Sequence, residues 1–217
     1  MAPPMARPLL HDYFRSSAAY RARIALRLKG VEHDSVSVDL RTGEQKGANY
    51  RDRNPQGFVP MLEIDGQRIV QSLAIIAYLE AARPEPRLMP ADPADQAHVR
   101  AMALVVACDI HPLNNLRVLR YLESELGLDE AARNRWYAHW IEEGLGALEA
   151  MAAPRAGRFL FGDTPTVADI CLVPQLYNAR RFDVPLEPYP TLVRADTEAN
   201  RLEAFAAAHP DRVAPTI

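Results

Sequence analysis

Arg15, Ser16 and Ser17 stand where a short strand starting at Leu9 gives way to a helix read from Tyr20 onward. The first turn of a helix leaves N–H groups without intrahelical partners and carries a partial positive charge, so an anion is stabilised there. A serine at that place can donate its O–H to the anion, with the arginine beside it. The same serine can instead cap the helix by accepting one of those N–H groups. These residues alone leave both readings open. A second hydroxyl stands in the same relation to a helix, because Gln71-Ser72 opens the apolar pattern Leu73, Ile76, Ala77, Leu79. Ser72 is expected there as the N-cap, or as the holder of a carboxylate.

The elements around these hydroxyls can be read in order. The first helix, over 20–29, ends at Gly30, which suits a left-handed C-terminal cap. Residues 31–39 alternate around Val36 and Val38 and predict a strand, so the first three elements form a β-α-β crossover with parallel strands. Residues 41–53 read as a loop with a short helix, ending at Asn54-Pro55. Met61-Leu62-Glu63-Ile64, Asp65-Gly66 and Gln67-Arg68-Ile69-Val70 predict a hairpin closed by a primed turn. Val59-Pro60 just before it predicts a cis peptide at the strand entrance.

Three prolines within 82–90 end the first domain, giving a domain at 1–83, a linker at 84–91 and a second domain at 92–217. Asp92-Pro93 with Asp95 starts a helix striped by Val99, Met102, Val106 and Ile110, and Pro112 is expected to kink it. Asp129 caps a helix whose stripe Trp136-Tyr137, Trp140-Ile141, Leu145, Leu148 and Met151 reads as core. Thr166 with Asp169 forms a capping box ahead of a helix over 170–179, and a last helix is expected over 191–207.

A chain of 217 residues can bury one large core or two modest ones. A net charge of −3 gives no reason to expect a nucleic acid or membrane partner, so an anionic ligand would need a local concentration of positive charge. Only two of the 25 basic side chains are lysines, Lys29 and Lys46, so a lone arginine says little about function. Cys108 and Cys171 read as buried thiols in a reducing compartment, with no CxxC or metal-ligand spacing nearby and no metal expected. Residues 1–8 are proline-rich without the apolar run of a leader, and the longest apolar run, 101–108, is far below the ~18 residues of a membrane span. A soluble, cytoplasmic protein is expected.

The order β-α-β, loop, β-β-α, followed by an all-helical second half, resembles the glutathione transferases. Asn54-Pro55, Val59-Pro60 and Gln71-Ser72-Leu73-Ala74-Ile75-Ile76 fall at that family's intervals. Tyr13-Phe14-Arg15-Ser16-Ser17 leading to Arg23-Ile24-Ala25-Leu26 resembles the zeta-class signature. Asp109-Ile110-His111-Pro112-Leu113-Asn114-Asn115-Leu116-Arg117-Val118-Leu119 resembles the bacterial maleylpyruvate isomerase branch of that class. Gly162-Asp163-Thr164-Pro165-Thr166-Val167-Ala168-Asp169, Leu172-Val173-Pro174-Gln175 and Arg180-Arg181-Phe182 also fit, so the likeness spans about 9–209.

The resemblance implies an N-terminal thioredoxin-like domain of α/β type and a C-terminal all-helical domain, in a homodimer. It implies glutathione as cofactor, its cysteinyl part paired with the backbone of Val59 beside Pro60 and its γ-glutamyl carboxylate held by Gln71 and Ser72. Gln45, His111 and Asn115 join that cofactor set, and Ser16 or Ser17 contacts the thiolate. Arg15, Arg117 and Arg181 are implied as the cations for a small dicarboxylate substrate. The implied reaction is cis–trans isomerisation of maleylpyruvate or maleylacetoacetate to the fumaryl product in aromatic-compound breakdown. A thiolate adds to the double bond, rotation follows and the thiolate leaves. A free thiol of pKa near 8.5 is only about 3% ionised at neutral pH, and lowering it by about two units requires ~2.7 kcal/mol of differential stabilisation. Zeta enzymes typically carry cysteine where this chain has Ala18, which removes a protein thiol able to form a mixed disulfide with glutathione. The same resemblance leaves two alternatives, a transferase or dehalogenase of small α-halo acids and a non-catalytic glutathione-binding protein.

Overall fold

The computed structural model describes residues 7–214. The expectation about the chain's start falls largely on 1–6, outside that range. Ser16 caps the first helix, its Oγ accepting from the Ala19 N–H at 3.2 Å. With that cap and the strong helix formers Ala18 and Ala19 behind it, the helix starts three residues earlier than the sequence suggests. It is α1 (Ser17–Leu28), and Gly30 follows it in the left-handed region at φ +63°. α1 lies between two parallel strands, β1 (Leu9–Asp12) and β2 (Asp34–Ser37), with Leu9 opposite Asp34. A 3₁₀ turn (Glu44–Lys46) and the short α2 (Ala48–Arg51) fill the region read as a loop with a helix.

The hairpin is as expected: β3 (Met61–Ile64) and β4 (Gln67–Val70) flank Asp65 and Gly66, both at positive φ as a type I′ turn requires. The Val59–Pro60 bond is cis, and Glu85–Pro86, not anticipated, is cis as well. β3 pairs antiparallel with β1, giving the sheet order β2-β1-β3-β4. α3 (Ser72–Ala82) follows the hairpin directly and packs beside α1, with Ile24, Ile75 and Leu79 fully buried.

The chain divides into two compact units, the residues through Arg87 with those from Leu202 onward, and Leu88–Arg201. The single helix expected over 191–207 is broken accordingly. α8 (Pro190–Asn200) buries Leu192, Ala195 and Ala199 in the second unit, whereas α9 (Glu203–Ala206) lays Phe205 against α1 in the first. Leu202 is extended at the break, and the short α10 (Pro210–Val213) follows.

The second unit is built from helices. α4 (Pro93–Leu104) is capped by Asp92, which accepts from the Ala94 and Asp95 N–H groups. Its stripe of Val99, Met102, Val106 and Ile110 is fully buried. The interruption assigned to Pro112 arrives earlier, as a π-helical stretch Val105–Ile110 whose wide turn ends with the His111 N–H on the Val106 carbonyl. Cys108 lies on the face opposite that stripe and is exposed, so only Cys171 is the buried thiol expected. α5 (Leu116–Ser124), α6 (Glu130–Ala152) and α7 (Val167–Arg181) complete the unit. Within the α6 stripe Tyr137, Ile141, Leu145 and Leu148 are buried, while Trp136, Trp140 and Met151 are half-buried.

The capping box at α7 is present, and it starts the helix at Val167, three residues ahead of expectation. Asp169 accepts from the Leu160 N–H, the Thr166 N–H and the Thr166 hydroxyl at 2.8–2.9 Å. Burial nevertheless pushes its carboxyl up to about 6, the donors only partly opposing the loss of solvent. A folded value above the ordinary one near 4 means that Asp169 contributes stability fully below that ordinary value and loses it as pH rises through about 6. Asp169→Asn cannot titrate, so calorimetric Tm scans should show wild type losing ground to the variant between pH 4 and 6.5. The loss should be on the order of 3 kcal/mol at most. A pH-independent difference in Tm would refute this account of Asp169.

Candidate active site

The sheet register gathers the singled-out residues of the first unit. Met61 pairs with His11 on one side and with Val70 on the other. Met61 opens β3 and Val70 closes β4, so the Val59–Pro60 peptide and Gln71-Ser72 lie just beyond the end of the sheet that β1 leaves at Asp12. Tyr13 and Val59 do share one buried cluster, with Val38, Tyr50 and Met61. The start of α1, the Val59–Pro60 peptide and the start of α3 thus meet at one edge of the sheet.

Each component has a definite state. Ser16 is the cap, while Ser17 is buried as the first helical residue. Arg15 is exposed, its guanidinium 5.1 Å from the Phe14 ring centre. Gln45 is buried, and its Oε1 has no hydrogen-bond partner among the described residues. Neither the N–H nor the carbonyl of Val59 is paired among those residues.

Ser72 is not the N-cap expected. That position belongs to Gln71, at φ +70° and with no side-chain cap bond, and Ser72 is the first residue of α3. Its Oγ instead lies 3.5 Å from Arg21 Nη1, and Gln71 Nε2 donates to Gln56 Oε1 at 2.6 Å. The first turn of α3 therefore keeps its N–H groups without a side-chain cap, a favourable place for a carboxylate. An unpaired peptide at Val59, an orphaned acceptor at Gln45 and two uncapped or hydroxyl-lined helix starts fit an extended peptide bearing both an amine or amide and carboxylates.

The loop carrying Val59 is held by residues that the sequence did not single out for a site. Tyr50 Oη and Asn54 Nδ2 both donate to the Phe58 carbonyl at 2.7 Å, and burial pushes the Tyr50 phenol up to about 12. Gly57 sits at φ +64°, and a Cβ there would come within 2.8 Å of the Gln45 backbone oxygen. This close approach keeps Gln45 next to the Val59 loop. The Asn-Pro-x-Gly spelling signals a turn, but nothing local in it points to Gln45.

The second unit holds the remaining candidates. Arg117, exposed at the start of α5, donates its backbone N–H to the N-cap Asn115, whose side-chain oxygen is used in that way. His111 is half-buried at the end of the π-helical stretch. Arg181 ends α7 exposed, its guanidinium 5.7 Å from the Tyr177 and Phe182 ring centres and only 3.5 Å from Asn178 Oδ1. Arg180, by contrast, is committed to Asp196 at 2.6 Å.

α6 braces both segments. Asn114 Nδ2 donates to the Tyr137 carbonyl and Trp136 Nε1 to the Leu113 carbonyl, while the Phe182 ring stacks on Tyr137 at 3.7 Å between centres. Trp136-Tyr137, read from sequence as plain core, thereby sets where the chain leaves for Arg117 and where it ends at Arg181.

Residues 15–82 match the family described as glutathione S-transferase, N-terminal domain, and 130–208 its C-terminal domain. A maleylacetoacetate isomerase of Rhizobium meliloti is 50% identical over 95% of this chain and 98% of its own. A solved maleylpyruvate isomerase, described as a bacterial zeta-class glutathione S-transferase, superposes with a TM-score of 0.94 at 45% identity, over 96% of this chain and all of that one. A maleylacetoacetate isomerase from Anaeromyxobacter dehalogenans, solved with dicarboxyethyl glutathione and citrate in its active site, superposes with a TM-score of 0.86 at 45% identity, covering 97% of each chain. The fold is that of a glutathione transferase, and this chain belongs to the zeta class of that family.

Gly57→Ala tests the loop that holds Gln45 against the Val59 segment. The left-handed backbone and the 2.8 Å approach to a carbonyl should together cost about 2–3 kcal/mol in urea unfolding. A variant within 0.5 kcal/mol of wild type would show that the loop can shift without penalty.

Proposed function

We propose that this chain is a glutathione-dependent cis–trans isomerase of maleylpyruvate or maleylacetoacetate, acting as a cytoplasmic homodimer. The observation that carries the reading is the meeting of the α1 start, the unpaired Val59 peptide and the uncapped α3 start at one sheet edge. It is supported by isomerase relatives matched over nearly the whole chain. Among the described residues no helix is long and apolar enough to cross a membrane, which agrees with that setting.

Val59 pairs with the cysteinyl peptide of glutathione, Gln45 accepts from its nitrogen-bearing end, and Gln71, Ser72 and the first turn of α3 hold its γ-glutamyl carboxylate. Ser17 and the first-turn N–H groups of α1 hold the sulfur as its anion, with Ser16 committed to the cap. Two or three such charge-assisted contacts can supply the ~2.7 kcal/mol that two units of thiol pKa require. Bound glutathione supplies a thiol that adds reversibly to the conjugated cis double bond, so that rotation becomes possible. Arg15, Arg117 and Arg181 hold the carboxylates of the dioate, each able to offer two parallel N–H donors and always charged. Ala18 offers no thiol to compete with that of the cofactor.

Each dioate should be turned over with glutathione and not without it, as followed by ultraviolet absorbance, and the one with the higher kcat/KM is the natural substrate. No glutathione-dependent turnover of either sinks the proposal. Arg117→Ala should raise KM for the dioate about tenfold or more while glutathione affinity changes less than about twofold, because one charged hydrogen-bonding group is lost from one ligand only. Equal loss of both affinities would assign Arg117 to a structural role.

A further inference from the structure

Arg23 is 2% exposed and distributes its donors over three separate parts of the first unit. Nη1 donates to both carboxylate oxygens of Asp12, at 2.7 and 2.8 Å. Nη2 donates to the Phe14 carbonyl at 3.1 Å, and Nε to the Ala208 carbonyl at 3.0 Å. The guanidinium also lies 5.2 Å from the Tyr20 ring centre. Asp12 is the last residue of β1, and Phe14 lies inside the turn closed by the Ser16 N–H on the Tyr13 carbonyl at 2.7 Å. Ala208 lies between α9 and α10, near the end of the chain.

We propose that Arg23 is the positioning residue of the thiolate pocket, and that through Arg23 the segment from Leu202 onward belongs to that pocket's support. The proposal rests on the glutathione-activation reading above. The turn 13–16 sets where the Ser17 hydroxyl and the first N–H groups of α1 stand relative to the sulfur. Charge-assisted hydrogen bonds weaken steeply as distance and angle depart from their optimum, so a small slip of this turn costs thiolate. Asp12 neutralises the Arg23 charge, so its influence on the sulfur is exerted through position rather than through field. A planar fork can serve a carboxylate and two carbonyls at fixed angles, and a lysine ammonium cannot. Removal of the fork should loosen the turn and the Ala208 segment together.

The test uses the full chain as Arg23→Lys, which keeps the charge opposite Asp12, with Asp12→Asn as the second variant. Two readouts are taken, ultraviolet titration of the thiolate in the glutathione complex and amide exchange over 203–213 in the ligand-free protein. Arg23→Lys should raise the pKa of the bound thiol by about one unit, which from a value lowered by about two units leaves about threefold less thiolate at pH 7, with kcat lowered in parallel and KM for the dioate within about twofold. Exchange over 203–213 should quicken by about tenfold or more, as expected when a buried tie to a terminal segment is lost. Asp12→Asn should move both readouts in the same direction, the thiol pKa by about half a unit and exchange by about threefold, since it weakens the hold on the fork without removing it. If Arg23→Lys does not fold, Asp12→Asn decides alone. A folded variant that keeps the wild-type thiol titration, or wild-type exchange over 203–213, overturns the proposal. A wild-type protein whose bound thiol titrates like free glutathione overturns the parent reading first, and so the two failures are told apart.

Discussion

β1 runs inside the sheet, paired on both sides, and ends at Asp12 with only four residues before α1 begins at Ser17. A strand with two neighbours cannot be left sideways, so the chain must rise off its carboxyl end and start the helix there. The first turn of α1 is consequently aimed at the space beyond that edge. The antiparallel partner β3 enters the sheet at the same edge and β4 leaves it there, which delivers Val59 and the start of α3 to the same place. The site is thus a consequence of connectivity, and the side chains refine it.

The refinements are made largely by buried polar groups that are fully engaged. Desolvating a charge is costly unless it is paired and hydrogen-bonded, so each buried ion marks a place where the chain is held to one geometry. Arg23 with Asp12 holds the turn before α1. Lys29, whose side chain is wholly buried, lies beside Glu80 and donates to the carbonyls of Pro84 and Pro86, fixing the exit from the first unit. Asp169 does the same for the entrance to α7 by gathering Leu160 and Thr166. An apolar core of Leu10, Ile24, Met61, Leu62 and Ile76 would fold without specifying where those turns stand.

What could be read from sequence follows from which signals are local. The Asp65-Gly66 turn, the Asp92-Pro93 start, the Asp129 cap and the Thr166–Asp169 box each act within four residues, and all were legible. Ser16 and Ser17 were legible as a pair, but their roles were not, because cap and anion site use the same hydroxyl chemistry. Ser72 was misplaced by one residue because its N-cap neighbour Gln71 takes a positive φ that glutamine rarely adopts. The break between α8 and α9 was missed since the apolar pattern runs on through Leu202, and only the tertiary partners change. The bracing by Tyr137, Phe182 and Asn114, and the grip of Gly57 on Gln45, join residues tens of positions or a whole loop apart, where periodicity carries no information.

Ala18 brings these strands together. It stands half-buried in the first turn of α1, between the buried Ser17 and Ala19. A cysteine there would give the pocket two competing ways to hold a sulfur, by hydrogen bonds to an anion or by a covalent disulfide. With alanine, only the hydroxyl and N–H donors remain, and in the proposed pocket they would favour the thiolate without capturing it. Addition followed by expulsion needs a sulfur that is stabilised as a leaving group as well as a nucleophile, because both steps pass through the same anion. Among the described residues the first unit holds no cysteine that would restore the missing option, since Cys108 and Cys171 both belong to the second. On the proposed reading, the first unit is therefore suited to activating a thiol that arrives with its ligand and to releasing it unchanged.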